Sequence, residues 1–243
     1  MTSTTASPLT LSSLPSGGVA VVFGAGGGIG SAVRDTLLAS GRFATVLGFG
    51  RSTTPAVDIA DEASIEAVAA SAAAAGEIRL VLDATGFLHD DRQEPEKSWR
   101  QLDADKLAHS FAINAIAPAL MMKALLPRLP RNGKTVFATL SARVGSIGDN
   151  QVGGWYAYRA SKAALNQLVR TAAIELARRA PEAICVALHP GTVATGLSAP
   201  FGSGGHQLFT PKEAAAYLVT VIDGLTPAQS GGFIDWQGEA IPF

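Results

Sequence analysis

Apolar and polar positions along the chain follow two alternating rhythms. Short, nearly continuous apolar runs read as strands buried on both faces: Val19-Ala20-Val21-Val22-Phe23, residues 43–49, Ile78-Arg79-Leu80-Val81-Leu82-Asp83, residues 134–140 and residues 184–189. Between them apolar residues recur every three or four positions, as in Ile29, Val33, Leu37 and Leu38, or Leu165, Leu168, Val169, Ala172 and Leu176. That is the spacing of a helix with one buried face. Gly41 reads as a helix C-cap, Asp61 as an N-cap, and Thr210-Pro211-Lys212-Glu213 as a helix start with a capping box. A final run, residues 232–236, closes the series. Unbroken strand–helix alternation, with no linker and no repeat, predicts one doubly wound α/β domain over residues 18–243 around a central, mostly parallel sheet of about seven strands. Residues 1–17, rich in Ser, Thr and Pro, read as a flexible tail. The long stretch 192–209 ahead of the last helix reads as a mobile substrate lid.

Composition narrows the function classes. Hydrophobic residues make up 47% of the 243 and charged residues 16%, which suits a buried parallel sheet. A formal net charge of −1 offers no field for steering nucleic acid or an anionic membrane, so a phosphate ligand must be held locally. The one cysteine, Cys185, lies in an apolar run and permits neither an intrachain disulfide nor a multi-Cys metal site. No apolar run approaches the roughly eighteen residues of a membrane helix. The first basic residue is Arg34, so the tail resembles neither a secretory signal nor an arginine-rich transit peptide, and a cytoplasmic location is expected. His89-Asp90-Asp91 lacks a supporting ligand at metal-site spacing and reads as exposed loop, and His109, His189 and His206 are assigned no role.

The chemistry begins where the first strand breaks into Gly24-Ala25-Gly26-Gly27-Gly28-Ile29-Gly30. Glycines there let the chain turn sharply, bring backbone N–H groups to a pyrophosphate, and pack a helix start against the strand, as in a Rossmann-type dinucleotide site. At the end of the second strand no Asp or Glu occurs between Asp35 and Asp58, and Arg51 stands there with Ser52 and Thr53. A guanidinium suits a 2′-phosphate through paired, charge-assisted hydrogen bonds, so NADP(H) is the expected cofactor, with NAD(H) possible. Asp58 is either a contact to the adenine amino group or a turn acid. Ala84 and Gly86 form a small-residue turn beside which a cofactor would lie, and Asn114 stands inside an apolar helix, where its amide needs a backbone or water partner. Ser141 ends a strand at the edge where open α/β sheets bind ligands. Tyr158 and Lys162, four apart on a helix, share one face. An ammonium near the phenol is expected to lower its pKa toward working pH and fit it for general acid work.

Together these residues resemble the short-chain dehydrogenase/reductase family from about Val19 to the end of the chain. Gly24-x-x-x-Gly28-Ile29-Gly30 is similar to its cofactor loop, Asn114 to its helix asparagine, Tyr158-x-x-x-Lys162 to its active-site pair, and Pro190-Gly191-x-x-x-Thr195 to its motif after a strand. The region from Ser141 to Ser161 is most similar to the C-factor-like and sniffer-like carbonyl reductase branch. The resemblance implies proton donation from Tyr158 to a carbonyl oxygen during hydride transfer, with Lys162 tuning Tyr158 and holding the nicotinamide ribose. It further implies a polarising role for Ser141, a water held by Asn114, and cofactor contacts from Pro190, Gly191, Val193 and Thr195. A small-molecule carbonyl or alcohol substrate and a homo-oligomer, dimer or tetramer, complete what it implies. Three positions depart from the family pattern: Phe23 before the first loop glycine, Asp83-Ala84-Thr85-Gly86 in place of Asn-Asn-Ala-Gly, and Ala142 where the serine three before Gly145 is usual. Ser141 is one residue off that position, and Ser146 is the reserve. A second reading from another class is a cofactor-binding regulatory or signalling protein with little turnover. A methyltransferase with a glycine-rich loop explains neither the Tyr–Lys pair nor Arg51.

Overall fold

Each apolar run becomes a strand because its alternate residues are buried on opposite faces of one sheet. In the computed structural model, which describes residues 11–201 and 207–243, the strands are β1 (Val19–Phe23), β2 (Thr45–Phe49), β3 (Ile78–Asp83), β4 (Thr135–Leu140), β5 (Ala183–His189), β6 (Thr192–Val193), β7 (Leu208–Phe209) and β8 (Phe233–Asp235). Six of them form one sheet in the order β2-β1-β3-β4-β5-β8, every pair parallel. The sheet thus holds six strands against about seven expected, and β6 and β7 form a separate two-stranded ribbon. Along β1, Val19, Val21 and Phe23 enter one core, and Ala20 and Val22 the other. A strand covered on both sides cannot show polar alternation, which is why these runs read as continuously apolar.

Helices cover both faces. The first core packs Val68, Met121, Leu125, Leu165 and Val169 of α2 (Glu62–Ala75), α4 (Ala117–Leu125) and α5 (Tyr156–Arg179). The second packs Val33, Leu37, Leu218 and Ile222 of α1 (Gly28–Ser40) and α6 (Pro211–Gly224). The caps form as expected: Gly41 takes a left-handed φ of 60°, Asp61 accepts from Ala63 N–H, and Thr210 and Glu213 close a capping box. Before α4 the chain runs through α3 (Ala104–Phe111) and a π-helical turn, Ala112–Ile116. By length and composition the whole helical stretch 104–128 could cross a bilayer, but 50% of its most apolar window is buried within the fold, the pattern of a core helix.

Two expectations change. The tail expected over residues 1–17 is packed from residue 11 onward: Leu11 and Leu14 are 1% and 0% exposed in the second core. Ser13 Oγ donates to the Asp223 carbonyl at 2.6 Å, and Arg42 Nε to the Leu14 carbonyl at 2.8 Å. Two leucines three apart are too short a signal to reveal a docked strap, and residues 1–10 lie outside the described residues. The expected lid is tied at both ends, since Val193 pairs with Phe209 in the β6–β7 ribbon; residues 202–206 within it, including His206, lie outside the described residues. Cys185 is fully buried, and burial pushes its thiol up to about 12, consistent with structural filler.

Candidate active site at the strand ends

The loop after β1 excludes side chains at particular positions. Gly24 has φ 73°, and a Cβ there would lie 2.8 Å from the Ala84 carbonyl oxygen. A Cβ on Gly30 would collide with the Gly24 carbonyl, and one on Gly26 with the Ser52 hydroxyl. The loop closes on itself through Gly27 N–H to the Gly24 carbonyl at 2.9 Å and joins β2 through Ala25 N–H to Phe49 O at 3.0 Å. Helix α1 then starts with no side-chain cap and no acid in its first turn. Its free N–H groups and positive dipole end suit an anion from outside the chain. Thr195 meets this helix start, its Cγ2 2.9 Å from where a Gly28 Cβ would be. Phe23, the departure ahead of the loop, is wholly buried in the first core.

Beside the loop, Thr53 Oγ1 accepts from Gly50 N–H at 2.9 Å and donates to Gly50 O at 2.8 Å, pinning the turn that holds Arg51 and Ser52 outward. Arg51 is exposed and has no hydrogen bond or ion pair among the described residues. Asp58, in contrast, accepts the Ala60 N–H at 2.9 Å, the geometry of a turn acid. On the other flank, Pro190 is buried and Gly191 takes φ 79°. A Cβ there would lie 2.7 Å from the Phe209 ring, which packs against Trp236 and Tyr217. This contact sets the path of Val193 and Thr195 back toward α1.

Opposite the loop, Tyr158 and Lys162 share one face of α5, with Lys162 Nζ 5.9 Å from the Tyr158 ring centroid. Lys162 is 3% exposed and donates to the Leu140 carbonyl at 2.8 Å. The 3-10 turn Arg143–Gly145 can press onto the helix there because a Cβ on Gly145 would lie 2.7 Å from the Lys162 Cβ. Burial pushes Lys162 down to about 8, with the Asp83 charge opposing, and burial pushes the Tyr158 phenol up. The expected lowering of Tyr158 is therefore reversed. The ammonium is bonded to a backbone carbonyl rather than to the phenol, so desolvation dominates for both groups. A protonated Tyr158 remains a proton donor. Gly86 lies in front of this pair, its would-be Cβ 3.7 Å from both Lys162 Nζ and Asn114 Oδ1.

Asn114 is committed to structure through its side chain. Its Oδ1 accepts the Phe87 N–H at 2.8 Å, while Nδ2 donates to the Phe87 carbonyl at 2.8 Å and to Ser161 Oγ at 3.1 Å. Ser161 Oγ in turn donates to the Tyr158 carbonyl at 2.9 Å, so Asn114 ties the turn after β3 to the start of α5. The amide has no donor left for a water. The Asn114 backbone carbonyl differs, since Pro118 stands four residues on and has no N–H to give it. The π-helical turn surrounds this break, and Asn114-x-x-x-Pro118 was a sequence signal for it.

The expected carbonyl-polarising serine is not where the sequence placed it. Ser141 is 4% exposed and its hydroxyl donates to Asn166 Oδ1 at 2.7 Å, one turn beyond Lys162. Ala142 is extended, φ −142° and ψ 142°, so its side chain points away from that of Ser141. Ser146, the reserve, is also buried, its Oγ accepting the Asp149 N–H at 3.0 Å. Among the described residues neither hydroxyl bonds Tyr158 or Lys162.

Sequence reasoning overlooked the residues that fix Tyr158 from a distance. Buried Glu96 accepts the Ala157 N–H at 3.1 Å through Oε2 and the Trp155 N–H through its carbonyl, capping α5 in place of a local residue. Trp155, with φ 52°, stacks edge-on to Tyr158 at 6.3 Å and to Phe201 at 5.2 Å. His89, read as exposed loop, is half-buried against Phe201 at 5.2 Å, with Nε2 3.2 Å from Gly196 O. Glu96 and Ala157 are 61 residues apart, so no local pattern announces the cap.

Comparison with known proteins adds to this geometry. A family model described as enoyl-(acyl carrier protein) reductase matches residues 35–221. The chain is 36% identical over 185 residues to 1-hydroxy-2-glutathionyl-2-methyl-3-butene dehydrogenase of a Rhodococcus species, covering 76% of this chain and 77% of that protein. It is 37% identical over 142 residues to the C-signal protein of Myxococcus xanthus, covering 58% and 81%. It superposes on the NADPH-bound carbonyl reductase from chicken fatty liver with a TM-score of 0.78 at 26% identity, covering 95% and 99% of the two chains. With the carbonyl reductase Sniffer of D. melanogaster the TM-score is 0.79 at 20% identity, a likeness of fold.

Proposed function

Because the chain belongs to the short-chain dehydrogenase/reductase family, we propose that it is an NADP(H)-dependent oxidoreductase acting on a small carbonyl or alcohol, with Tyr158 as the general acid and base. The observation that carries this reading is the pairing of Tyr158 with a buried Lys162 in a chain whose first helix starts uncapped behind a loop that requires glycine at Gly24 and Gly30. The bound nicotinamide supplies hydride transfer, and the chain supplies binding, orientation and the proton. Backbone N–H groups at the start of α1 bind the pyrophosphate, Arg51 and Ser52 the 2′-phosphate, and Val193 and Thr195 close over the cofactor from the far side. Asp58 spends Oδ1 on its own turn, and its other carboxylate oxygen would accept from the adenine amino group.

In the reducing direction Tyr158 gives its proton to the carbonyl oxygen, and the positive charge of Lys162 stabilises the phenolate that remains. Asn114 acts twice: its side chain fixes the turn at Gly86 and Phe87, and its backbone carbonyl, to which Pro118 has no N–H to donate, holds a water toward Lys162. Ser141 serves the fold through Asn166, so Tyr158 polarises the carbonyl without a serine. In solution the chain pairs through α4 and α5, between which Met122, Leu126 and Leu168 line a groove of about 430 Å³.

A second reading is favoured by one observation, Ala142 where a serine is usual: a cofactor-binding regulatory or signalling protein with little turnover. NADPH oxidation across aldehydes, ketones and quinones separates the two. Turnover that Tyr158→Phe lowers at least a hundredfold, with NADPH binding retained, supports the enzyme. Tight NADPH binding without turnover on the whole panel supports the regulator.

A further inference from the structure

Asp83 ends β3 with no exposed surface at all. Its Oδ1 accepts the Thr85 N–H at 2.9 Å and the Thr85 hydroxyl at 2.6 Å, and its Oδ2 accepts the Thr139 hydroxyl at 2.7 Å. All three donors are neutral, and among the described residues Asp83 has no ion pair. A carboxylate withdrawn from water calls for a countercharge as well as hydrogen bonds. The same holds for Lys162, 3% exposed, whose ammonium has one hydrogen bond among the described residues, to the Leu140 carbonyl. The two are linked through one strand. Asp83 pairs in register with Thr139 of β4 and takes its hydroxyl, and Lys162 bonds the carbonyl of the next residue, Leu140.

We propose that Asp83 is a positioning residue for the reaction: it is the buried countercharge that keeps Lys162 protonated while Tyr158 transfers its proton. Toward Lys162 face Tyr158 from α5, the Leu140 carbonyl from β4, Gly86 and the Asn114 amide from the turn after β3 and the π-helical turn, and Asp83 from β3 itself. Of these, Asp83 is the one carboxyl group. It accounts for the departure from Asn-Asn-Ala-Gly at the first position, because an asparagine would satisfy the same hydrogen bonds and supply no charge. The direction of the Lys162 shift agrees: burial lowers it, and Asp83 raises it back.

Asp83→Asn tests this with little change of shape, since the amide still accepts from Thr85 and donates to Thr139 Oγ1. The inference rests on the oxidoreductase reading, so one measurement is independent of turnover. With lysines labelled by ¹³C at Cε, the Lys162 resonance is the one missing from Lys162→Met, and its NMR titration midpoint in Asp83→Asn falls by about one pH unit. In NADPH-dependent carbonyl reduction the alkaline limb moves down by a similar amount, leaving kcat/KM within about twofold at pH 6 and about tenfold lower at pH 9. Thr139→Val, which removes a donor but no charge, lowers the melting temperature and leaves the limb in place. An unchanged Lys162 midpoint, or a loss of rate equal at every pH, overturns the role of Asp83. A shifted midpoint in a protein that reduces no carbonyl sinks the oxidoreductase reading and leaves the Asp83–Lys162 coupling intact.

Discussion

Ser141 donates its hydroxyl to Asn166 Oδ1 at 2.7 Å, joining the end of β4 to α5 one turn past Lys162. The hydroxyl nearest the family position is thereby spent on holding the strand to the helix, and the neighbouring side chain that faces the opposite way is a methyl group. Ser141→Ala is expected to destabilise the fold by about 1–2 kcal/mol, because Asn166 loses a buried partner, while kcat/KM stays within about twofold. Ala142→Ser restores a donor on the other side of the chain and raises kcat/KM about tenfold or more. Urea denaturation and steady-state kinetics on the two variants read the outcomes separately. A large kinetic loss in Ser141→Ala would return that residue to the chemistry.

Arg51 stands exposed beside the phosphate loop on a turn that Thr53 pins from within. Replacing it by alanine removes charge-assisted bonds to a 2′-phosphate, so NADPH binding weakens about tenfold to a hundredfold and NADH binding changes less than about twofold. Fluorescence titration with both cofactors checks this. Equal weakening of the two would mean that Arg51 does not read the phosphate.

Gly24→Ala places a methyl group 2.8 Å from the Ala84 carbonyl at a φ that side chains disfavour. The loop must shift, which costs about 1–3 kcal/mol of stability and abolishes NADPH binding at micromolar concentrations. Calorimetry measures both, and a variant that binds with unchanged affinity would move the pyrophosphate away from this loop.

Lys162 is pushed down to about 8 in the folded chain from an ordinary value of 10.5. Between those values the unfolded chain binds the extra proton, so this group's contribution to stability rises with pH. Measured by urea denaturation against Lys162→Met, the wild-type chain should gain about 2 kcal/mol between pH 7 and 9.5. A flat difference would place the ammonium in water.

Leu14 is wholly buried in the second core. Leu14→Ala should lower stability by about 2–4 kcal/mol, the cost of a core cavity, with little effect on cofactor affinity. A neutral outcome would make residues 11–17 the loose tail that their composition suggests.

What the sequence discloses here is what acts locally or repeats. Apolar runs with β-branched residues announced the strands, and fixed spacings announced Gly24 to Gly30, Tyr158 with Lys162, and the cap at Thr210. What it hides depends on which way a side chain faces or on a partner far along the chain. Ser141 and Ala142 are adjacent letters, yet the strand pleat sends them to opposite sides. Glu96 reaches the start of α5 across 61 residues. The protonation of Tyr158 depends on burial, which a helical spacing of four cannot convey. Leu11 and Leu14 lie in a Ser/Thr-rich setting, so their docking onto α1 and α6 leaves no compositional trace.

Since all six strands of the main sheet run in one direction, Tyr158, Lys162 and the glycine loop gather on a single rim, and the opposite rim carries the packing of Ser13, Arg42, Lys134 and Asp223. Substrate preference can therefore be re-cut in the loops of the first rim while the second keeps the scaffold closed. A reporter or surface tether attached at that far side would leave the chemistry untouched.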